Sequence, residues 1–398
     1  MAGASARVVG TLGTAQTLAW ASSYYLPAVL AVPMARDLGL STPTVYAAFS
    51  GALGASALIG PWAGRMIDRH SGRVVLIGTS LLFSLGLILL GLAQGLWTMV
   101  AAWLVIGVAM GAGLYDAAFS SLVRLYGSNA RGAITGITLL AGFASTVGWP
   151  MSAWMEAVSG WRGACFGWAA MHLLIGLPLN AWLPKAPAGA TAEEPAAGDA
   201  PATVSSPAPA PDRQGWTIGL VAFVFAAAWF ISTAMATHLP RILEASGASL
   251  AAAVGIGALI GPAQVAGRLL EFGFLRRVHP LLSARLAALT HPLGVAVLLM
   301  AGPAMAPAFA ILHGLGNGIL TIAKGTLPLA LFGTQGYGAR QGWLMMPSRV
   351  AQALSPFIFG LALDAWGANA LWLSGAIGVA AFGALVLLRA RPPAARPC

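Results

Sequence analysis

The chain has 398 residues, of which 58% are hydrophobic and only 8% are charged, and its mean hydropathy is +0.80. So few polar residues cannot cover a soluble protein of this length, which indicates that lipid surrounds most of the chain. The formal net charge of +10 comes from short basic clusters between apolar segments, without the continuous basic stripe that is typical of nucleic-acid binding.

Twelve apolar segments are each long enough to cross the hydrocarbon core as a helix, which takes roughly 20 residues. In chain order they run over 9–33, 43–65, 73–94, 97–123, 131–154, 163–183, 216–240, 248–270, 281–301, 304–332, 341–363 and 368–388. The sequence therefore predicts an all-α integral membrane protein with twelve transmembrane helices. The first segment lacks a small-residue cleavage site, so we interpret it as a retained span.

Six spans fall on each side of a segment rich in Ala, Pro, Gly and Ser. Such a composition cannot build a core, which predicts a disordered linker. The predicted organisation is a six-helix bundle at 1–184, a cytoplasmic linker at 185–214 and a second six-helix bundle at 215–398. We expect the linker to serve mainly as a tether.

The distribution of basic residues predicts the orientation, because loops rich in Lys and Arg stay in the cytoplasm. With the N-terminus inside, the outer connections carry only Arg36, Arg162 and Arg241. An even number of spans then places both termini in the cytoplasm. We expect the protein to lie in a bacterial cytoplasmic (inner) membrane.

Two stretches separated by about two hundred residues resemble one another, which is typical of a duplicated unit. The first has Ala57-Leu58-Ile59-Gly60-Pro61 followed by Gly64, Arg65 and Asp68, and the second has Ala258-Leu259-Ile260-Gly261-Pro262 followed by Gly267, Arg268 and Glu271. Tyr126-Gly127 with Arg131 is likewise similar to Tyr337-Gly338 with Arg340. Matches in the same order favour two copies of one membrane unit.

The segment Gly64-Arg65-Met66-Ile67-Asp68-Arg69-His70-Ser71-Gly72-Arg73 resembles the loop motif between spans two and three of major facilitator superfamily (MFS) transporters. It departs from the usual pattern by one residue, because Gly72 and Arg73 come one place late. Gly160-Trp161-Arg162, at the start of span six, is a second family feature. The resemblance covers nearly the whole chain outside the linker.

This resemblance implies two pseudo-symmetric six-helix bundles that work by alternating access, with spans one, four, seven and ten lining a central cavity. It also implies gating roles for Gly64, Arg65, Asp68, Arg69, Arg73, Arg131, Gly267, Arg268, Glu271 and Arg340. Physically, a carboxylate near an arginine and a helix end can bias a two-state equilibrium. The alternative is that Arg65, Arg69 and Arg73 serve only as topology anchors.

Ionisable and aromatic residues at membrane depth are the candidates for substrate contact, because such residues are costly in lipid. The predicted substrate-binding residues are Trp20, Tyr24, Tyr25, Asp116, His313, Asn317, Lys324 and Arg349. His172, His238 and His291 also lie within spans, and we expect His238 to be interfacial.

In span ten, His313, Asn317 and Lys324 are spaced by four and seven residues, which puts them on one helical face. Lys324 could instead snorkel to the interface. In span one, Gln16, Trp20 and Tyr24 recur at every fourth residue, which fits either a clasp for a small organic molecule or ordinary helix packing.

Two buried cations, Lys324 and Arg349, against one buried carboxylate, Asp116, favour a small organic anion as cargo, moved with protons or in exchange for another anion. Anion porters of the same superfamily also have a basic residue in span eleven, and in this chain that residue is Arg349. The alternative is a proton-driven exporter of drugs or other hydrophobic compounds. In that case Asp116 is the proton site and the aromatic stripe is the binding wall.

No motif indicates enzymatic chemistry. The histidines lie on separate spans without His-x-x-x-His or cysteine pairing, and no phosphate-binding loop is present. We therefore expect no enzymatic activity, no cofactor and no metal. The expected partners are a small-molecule substrate, protons or a counter-substrate, and the lipid bilayer, with the protein as a monomer that binds no nucleic acid. A sensor built on the same fold stays open as a third class.

Overall fold

The computed structural model describes residues 2–69, 72–126, 130–184, 211–275, 278–332 and 337–388. In the part before residue 185 the helices are α1 (Ala2–Ser22), α2 (Pro27–Asp37), α3 (Thr42–Arg69), α4 (Gly72–Gly91), α5 (Leu96–Gly113), α6 (Tyr115–Tyr126), α7 (Ala130–Ala141), α8 (Ala144–Met171) and α9 (Leu177–Ala181). After residue 210 they are α10 (Pro211–Ala245), α11 (Leu250–Ala258), α12 (Ile260–Gly273), α13 (Pro280–Ala301), α14 (Ala306–Phe332), α15 (Tyr337–Trp366) and α16 (Leu371–Leu387).

The described helices accommodate all twelve predicted spans. Ten helical stretches are long and apolar enough to cross a membrane. Two of them, Gly136–Ala181 with 46 residues and Leu344–Leu387 with 44 residues, are each long enough for two crossings at roughly 20 residues per crossing.

Several of the predicted spans are interrupted, and the breaks in the first and the fourth have a cause in the sequence. The first consists of α1 and α2, and α2 starts at Pro27, whose missing N–H cannot continue a helical hydrogen-bond ladder. The fourth consists of α5 and α6, which separate at Leu114, a residue with extended backbone (ψ −162°). Leu114 follows Gly111-Ala112-Gly113, and glycine lowers helix propensity.

Left-handed glycines mark one set of connections. Each lies between an odd-numbered predicted span and the next one, where a short turn needs a φ that residues with a Cβ rarely adopt. In the described part of the chain they are Gly39 (φ 65°), Gly160 (φ 70°), Gly247 (φ 99°), Gly302 (φ 86°) and Gly367 (φ 56°). Gly160 interrupts α8 and so separates predicted spans five and six.

Contacts between Cα atoms divide the chain into two compact units. The first unit comprises Met1–Ser23, Gly51–Ala141 and Met155–Trp216, and the second comprises Tyr24–Ser50, Gly142–Trp154 and Thr217–Cys398. The second unit thus includes two segments from the N-terminal half of the chain. The predicted bundle boundaries at 184 and 215 stay a prediction, and residues 185–210 of the predicted linker lie outside the described residues.

Each unit has its own apolar core. In the first unit, Leu12 of α1, Leu76 of α4 and Ile137 of α7 are buried together. In the second unit, the core includes Leu327 of α14 and Leu385 of α16. The burial of such side chains against neighbouring helices sets how the helices pack, and with it the positions of the polar groups described below.

Candidate functional site

A cavity with about 420 Å³ of empty space, part of which is open to the exterior, lies within the second unit. Helices α10, α13, α14 and α16 enclose it, and most of its wall is apolar, as at Val224, Leu320 and Ala381. A mostly apolar wall with a few polar groups is typical of small-molecule sites. The polar side chains in its wall therefore determine what it can bind.

Two buried histidines form the polar part of this cavity. His291 of α13 and His313 of α14 are 6% and 4% exposed, and their Nδ1 atoms lie 3.0 Å apart. On the other side of its ring, His291 Nε2 lies 3.1 Å from Ser374 Oγ of α16. The side chain of Asn317, one turn beyond His313, also lines the cavity. A chain of three polar residues thus ends at this cavity.

A close helix contact holds the histidine pair together. A Cβ added to Gly316 of α14 would collide with Thr290 Oγ1 and lie 2.7 Å from the carbonyl oxygen of Ala287, both in α13. Only glycine allows this approach of the two backbones, as is common where membrane helices touch. Because α13 and α14 lie so close at Gly316, His291 and His313 reach hydrogen-bonding distance.

Lys324 lies further along α14, in a second polar region. Its Nζ is 3.9 Å from the centroid of the Trp229 ring of α10, within the range of a cation–π contact. The indole Nε1 of Trp229 is buried and has no hydrogen-bond acceptor among the described residues. The charge of Arg268 on α12 also acts on Lys324. Arg268, Glu271 and Lys324 are the charged side chains that are buried in the described part of the chain.

The first unit has a smaller pocket of about 220 Å³. Its wall includes Gln16, Ser80, His172 and Asn180. Gln16 Nε2 donates to the carbonyl oxygen of Gly113 at 2.7 Å, and Asn180 Nδ2 donates to Ser80 Oγ at 2.9 Å. His172 Nε2 lies 2.7 Å from Ser22 Oγ. Hydrogen bonds between helices thus use the amide N–H groups of Gln16 and Asn180, whereas Gln16 Oε1 and Asn180 Oδ1 have no partner among the described residues.

The structure divides the aromatic stripe predicted for span one. Trp20, in the first unit, packs on Tyr115 with ring centroids 4.9 Å apart. Tyr24 and Tyr25 belong to the second unit: the Tyr24 hydroxyl lies 2.7 Å from Thr233 Oγ1, and the Tyr25 carbonyl accepts a hydrogen bond from Trp149 Nε1 at 3.2 Å. These two tyrosines therefore join segments that are distant in sequence.

His238 belongs to the same set of contacts in the second unit. It is fully buried, its Nε2 lies 2.8 Å from the carbonyl oxygen of Pro356, and its ring centroid is 4.1 Å from that of Tyr46. The sequence suggested an interfacial residue because Pro240 and Arg241 follow it. The burial arises from α3 and α15, whose packing on α10 no local pattern reveals.

The structure describes the side chains of only some of the other predicted site residues. Arg349 of α15 is exposed, and Arg73 is half-buried. An added Cβ at Gly267 of α12 would collide with the Leu315 carbonyl oxygen of α14. The side chains of Asp116, Arg65, Asp68, Arg69, Arg131 and Arg340 and the surroundings of Gly64 lie outside the described residues.

Sequence reasoning gave no role to His291, Ser374 or Trp229. Their partners lie on other helices, so the contacts depend on how each helix is rotated about its axis. One sequence feature could have pointed to this site, because ionisable residues at membrane depth are rare and mark functional sites. Of these three residues, His291 is the one with an ionisable side chain.

The family model for the Major Facilitator Superfamily matches residues 12–311. The chain belongs to this superfamily. Solved MFS structures share its fold: a point mutant of the nucleoside transporter NupG has a TM-score of 0.75 at 13% identity, covering 96% of this chain and 99% of that one. A bacterial homologue of the human lysosomal transporter Spinster, in an inward-facing and occupied conformation, has a TM-score of 0.65 at 16% identity, covering 95% and 93%.

The MFS fold accounts for the architecture and confirms the predicted fold class of twelve transmembrane helices in two bundles. The same homologue in an unoccupied inward-facing conformation has a TM-score of 0.67. At such low identities these similarities show the fold alone. The protein is an integral membrane transporter of small molecules.

Proposed function

We propose that this MFS transporter carries a small organic anion, such as a carboxylate, by alternating access, in symport with protons or in exchange for another anion. The observation that carries the proposal is the buried Lys324 ammonium over the Trp229 ring. Both residues belong to predicted spans, ten and seven, that line the central cavity in this superfamily.

The donors at this position suit a carboxylate. Lys324 supplies a positive charge with three N–H donors, and the buried Trp229 indole N–H has no acceptor among the described residues. A buried donor of this kind calls for a water, an ion or a ligand as its partner. A carboxylate is an acceptor for both kinds of donor, an ammonium and an indole N–H.

The charge balance supports the same cargo. The buried charged side chains of the described chain are two cations, Arg268 and Lys324, and one acid, Glu271. Buried charges of like sign repel, and an anion between them offsets that repulsion. This second cation was predicted at Arg349 from the sequence, whereas in the structure Arg268 lies close to Lys324.

Further roles follow as part of the proposal. Trp20 and Tyr115 offer an aromatic wall on spans one and four, and Asp116, His313, Asn317 and Arg349 stay proposed cargo or proton contacts. Tyr24 and Tyr25 fit gating better, because their hydrogen bonds join distant spans. The ten residues predicted for gating keep that proposed role.

The orientation is also a proposal: two six-helix bundles at 1–184 and 215–398 around a cytoplasmic linker, with both termini inside, in a bacterial inner membrane and as a monomer. Maleimide labelling of single cysteines at the two ends of the chain in intact and lysed cells tests it. Labelling of one terminus but not the other in intact cells would refute the even number of spans.

A proton-driven exporter of hydrophobic compounds is the second candidate. The observation that favours it is the contact between Trp20 and Tyr115 on two cavity-lining spans, since aromatic rings bind flat apolar molecules. It needs no buried cation, so it predicts that loss of the Lys324 charge leaves cargo binding unchanged.

A thermal-shift screen of the purified protein tests the proposal. The panel contains succinate, lactate, oxalate and benzoate as anions, adenosine and uridine as nucleosides, and ethidium as a drug. A bound compound stabilises the folded state by mass action. We expect an anion of the panel to raise the melting temperature of the wild type, and adenosine, uridine and ethidium to leave it unchanged.

Two variants at one position give the matched control. Lys324→Gln removes the charge and should abolish the shift, whereas Lys324→Arg keeps the charge and should retain part of it. A shift that survives Lys324→Gln but is lost in Arg349→Gln would move the anion site to span eleven. Stabilisation by ethidium alone would favour the exporter.

A further inference from the structure

The hydrogen bonds around His291 and His313 define which ring nitrogens carry protons. The Ser374 hydroxyl donates to the carbonyl oxygen of Leu371 at 2.9 Å. A hydroxyl has a single hydrogen, and we assign it to the Leu371 carbonyl, so that Ser374 Oγ accepts the bond from His291 Nε2. His291 Nε2 therefore carries a hydrogen.

The same reasoning continues to the second histidine. A neutral imidazole carries one N–H, so His291 Nδ1 is bare and accepts. The hydrogen in the contact of 3.0 Å between the two Nδ1 atoms then belongs to His313. His313 Nε2 is left as a bare acceptor, it has no hydrogen-bond partner among the described residues, and its ring lines the cavity.

We propose that His313 Nε2 binds the proton that this transporter couples to its cargo, and that Ser374 and His291 hold the ring in the tautomer that keeps this nitrogen bare. The inference rests on the proton-coupled form of the proposed function and names its proton site. Binding adds one N–H to His313 and breaks no covalent bond, and release to water on the other side of the membrane restores the bare nitrogen.

The surroundings of His313 fit a site for one proton. Among the described residues that line the cavity from α10, α13, α14 and α16, the titratable groups are His291 and His313. Arg285 lies six residues before His291 on α13, where it caps the carbonyl of Leu388 at 2.7 Å. On the neighbouring α12, the buried charges are Arg268 and Glu271. No described carboxylate therefore lines the cavity to compete for the proton.

The geometry also links the proton to the anion. His313 and Lys324 are separated by eleven residues on α14, about three turns, and so lie on the same side of the helix. Trp229, which contacts Lys324, lies between the cavity-lining residues Ala228 and Ile231 of α10. An anion near Lys324 favours a cation at His313, and by linkage the proton favours the anion to the same degree.

The first experiment reads the tautomer directly in the wild type. The protein has six histidines, so ¹⁵N-histidine labelling and solid-state NMR in lipid give a small set of signals. A correlation through the hydrogen bond between two imidazole nitrogens identifies the pair without any variant. Carbonyl-¹³C leucine assigns the His313 ring, because Leu312-His313 is the one Leu-His step in the sequence; at alkaline pH we expect a protonated Nδ1 and a bare Nε2 on His313. A protonated Nε2 on that ring would overturn the proposal.

The second experiment measures coupling in proteoliposomes with labelled succinate and lactate. We expect His313→Gln to lose accumulation driven by an imposed pH gradient, down to the level without a gradient, and to lower exchange of internal for external anion by a much smaller factor. His279→Asn is the matched control, because it removes an imidazole whose Nδ1 caps α13 at the Leu281 N–H and Asn also caps helices. Gradient-driven uptake that survives in His313→Gln would overturn the proposal.

The two experiments separate this inference from the proposed function. If neither anion is carried but labelled adenosine is, the anion proposal fails, and the same comparison of gradient-driven uptake with exchange is made with adenosine. Loss of the driven component in His313→Gln would then still support the proton site. If His313→Gln does not fold, the NMR tautomer in the wild type decides.

Discussion

The two units each bury polar side chains between corresponding spans, but they connect them differently. In the first unit the pocket lies between spans one, three, four and six, and Gln16 and Asn180 donate to backbone carbonyls or to a serine. In the second unit the cavity lies between spans seven, nine, ten and twelve, and His291 and His313 bond to each other. Each interior pairs a histidine with a serine, but among the described residues two imidazoles meet in the second.

This difference indicates a division of roles between duplicated units. Hydrogen bonds to backbone carbonyls fix helices without changing when protons move, because a helical carbonyl has no titratable proton. A pair of imidazoles can gain, lose and pass on protons. The second cavity, with two imidazoles in contact, is therefore better suited to passing protons than the first pocket, which has the single imidazole of His172.

The largest expected effect comes from breaking the histidine chain in its middle. His291→Ala should destabilise the protein by about 2–4 kcal/mol, because it enlarges the cavity and leaves the His313 N–H without its acceptor. His172→Ala in the first unit should cost about 1–2 kcal/mol, since Ser22 keeps its bond to the Leu18 carbonyl. Unfolding by SDS in mixed micelles measures both.

A double variant sharpens this result. The single variant His291→Ala leaves the N–H of His313 without an acceptor. Adding His313→Leu removes that N–H, so the double variant should be more stable than the sum of the two single effects predicts. Additive effects would show that the two histidines do not share a hydrogen bond. Equal losses for His291→Ala and His172→Ala would remove the contrast between the two interiors.

The next effect in size comes from separating α13 and α14. Gly316→Ala places a methyl group against Thr290 and Ala287, and overpacking of this kind costs about 1–3 kcal/mol. It should also weaken gradient-driven uptake, because the two imidazoles move apart. Gly383→Ala on α16 is the control, since nothing lies within 4 Å of an added Cβ there.

If the Gly316→Ala and Gly383→Ala variants were equally stable, α13 and α14 would have room for the added methyl group. In that case the distance between the histidines would not depend on Gly316. A loss of uptake with unchanged stability would instead indicate that the contact serves transport only.

The sequence predicted the apolar segments well, because about 20 apolar residues suffice to identify a span. It also predicted that His313 and Asn317 share a face, since residues four apart do so in any helix, and both line the same cavity. It did not predict the pairing of His291 with His313. That contact depends on the depth and rotation of two separate helices, set by the approach at Gly316.

The same limit explains the other difference. Lys324 shares the helical face of His313 by spacing, yet it is not among the residues that line the cavity and contacts Trp229 instead. A lysine side chain is long, and the position of its ammonium depends on which neighbour it meets. The spacing of residues along a helix predicts the direction of a Cβ, not the contact at the end of a long side chain.

The smallest expected effect compares two asparagines. Asn180 Nδ2 donates to the Leu76 carbonyl at 3.2 Å and to Ser80 Oγ at 2.9 Å, so Asn180→Leu should cost about 1–2 kcal/mol. Asn317→Leu removes no side-chain hydrogen bond among the described residues and should change stability by less than about 0.5 kcal/mol. SDS unfolding of the two variants measures the difference.

Transport should rank the same two variants in the opposite order. Asn317→Leu fills part of the cavity with an apolar group beside His313 and removes the amide that can stabilise an imidazolium there, so gradient-driven uptake should fall although the fold persists. Asn180→Leu should keep the ratio of driven uptake to exchange, because its pocket holds helices together. If Asn317→Leu left that ratio unchanged, the cavity of the second unit would have no more to do with protons than the pocket of the first.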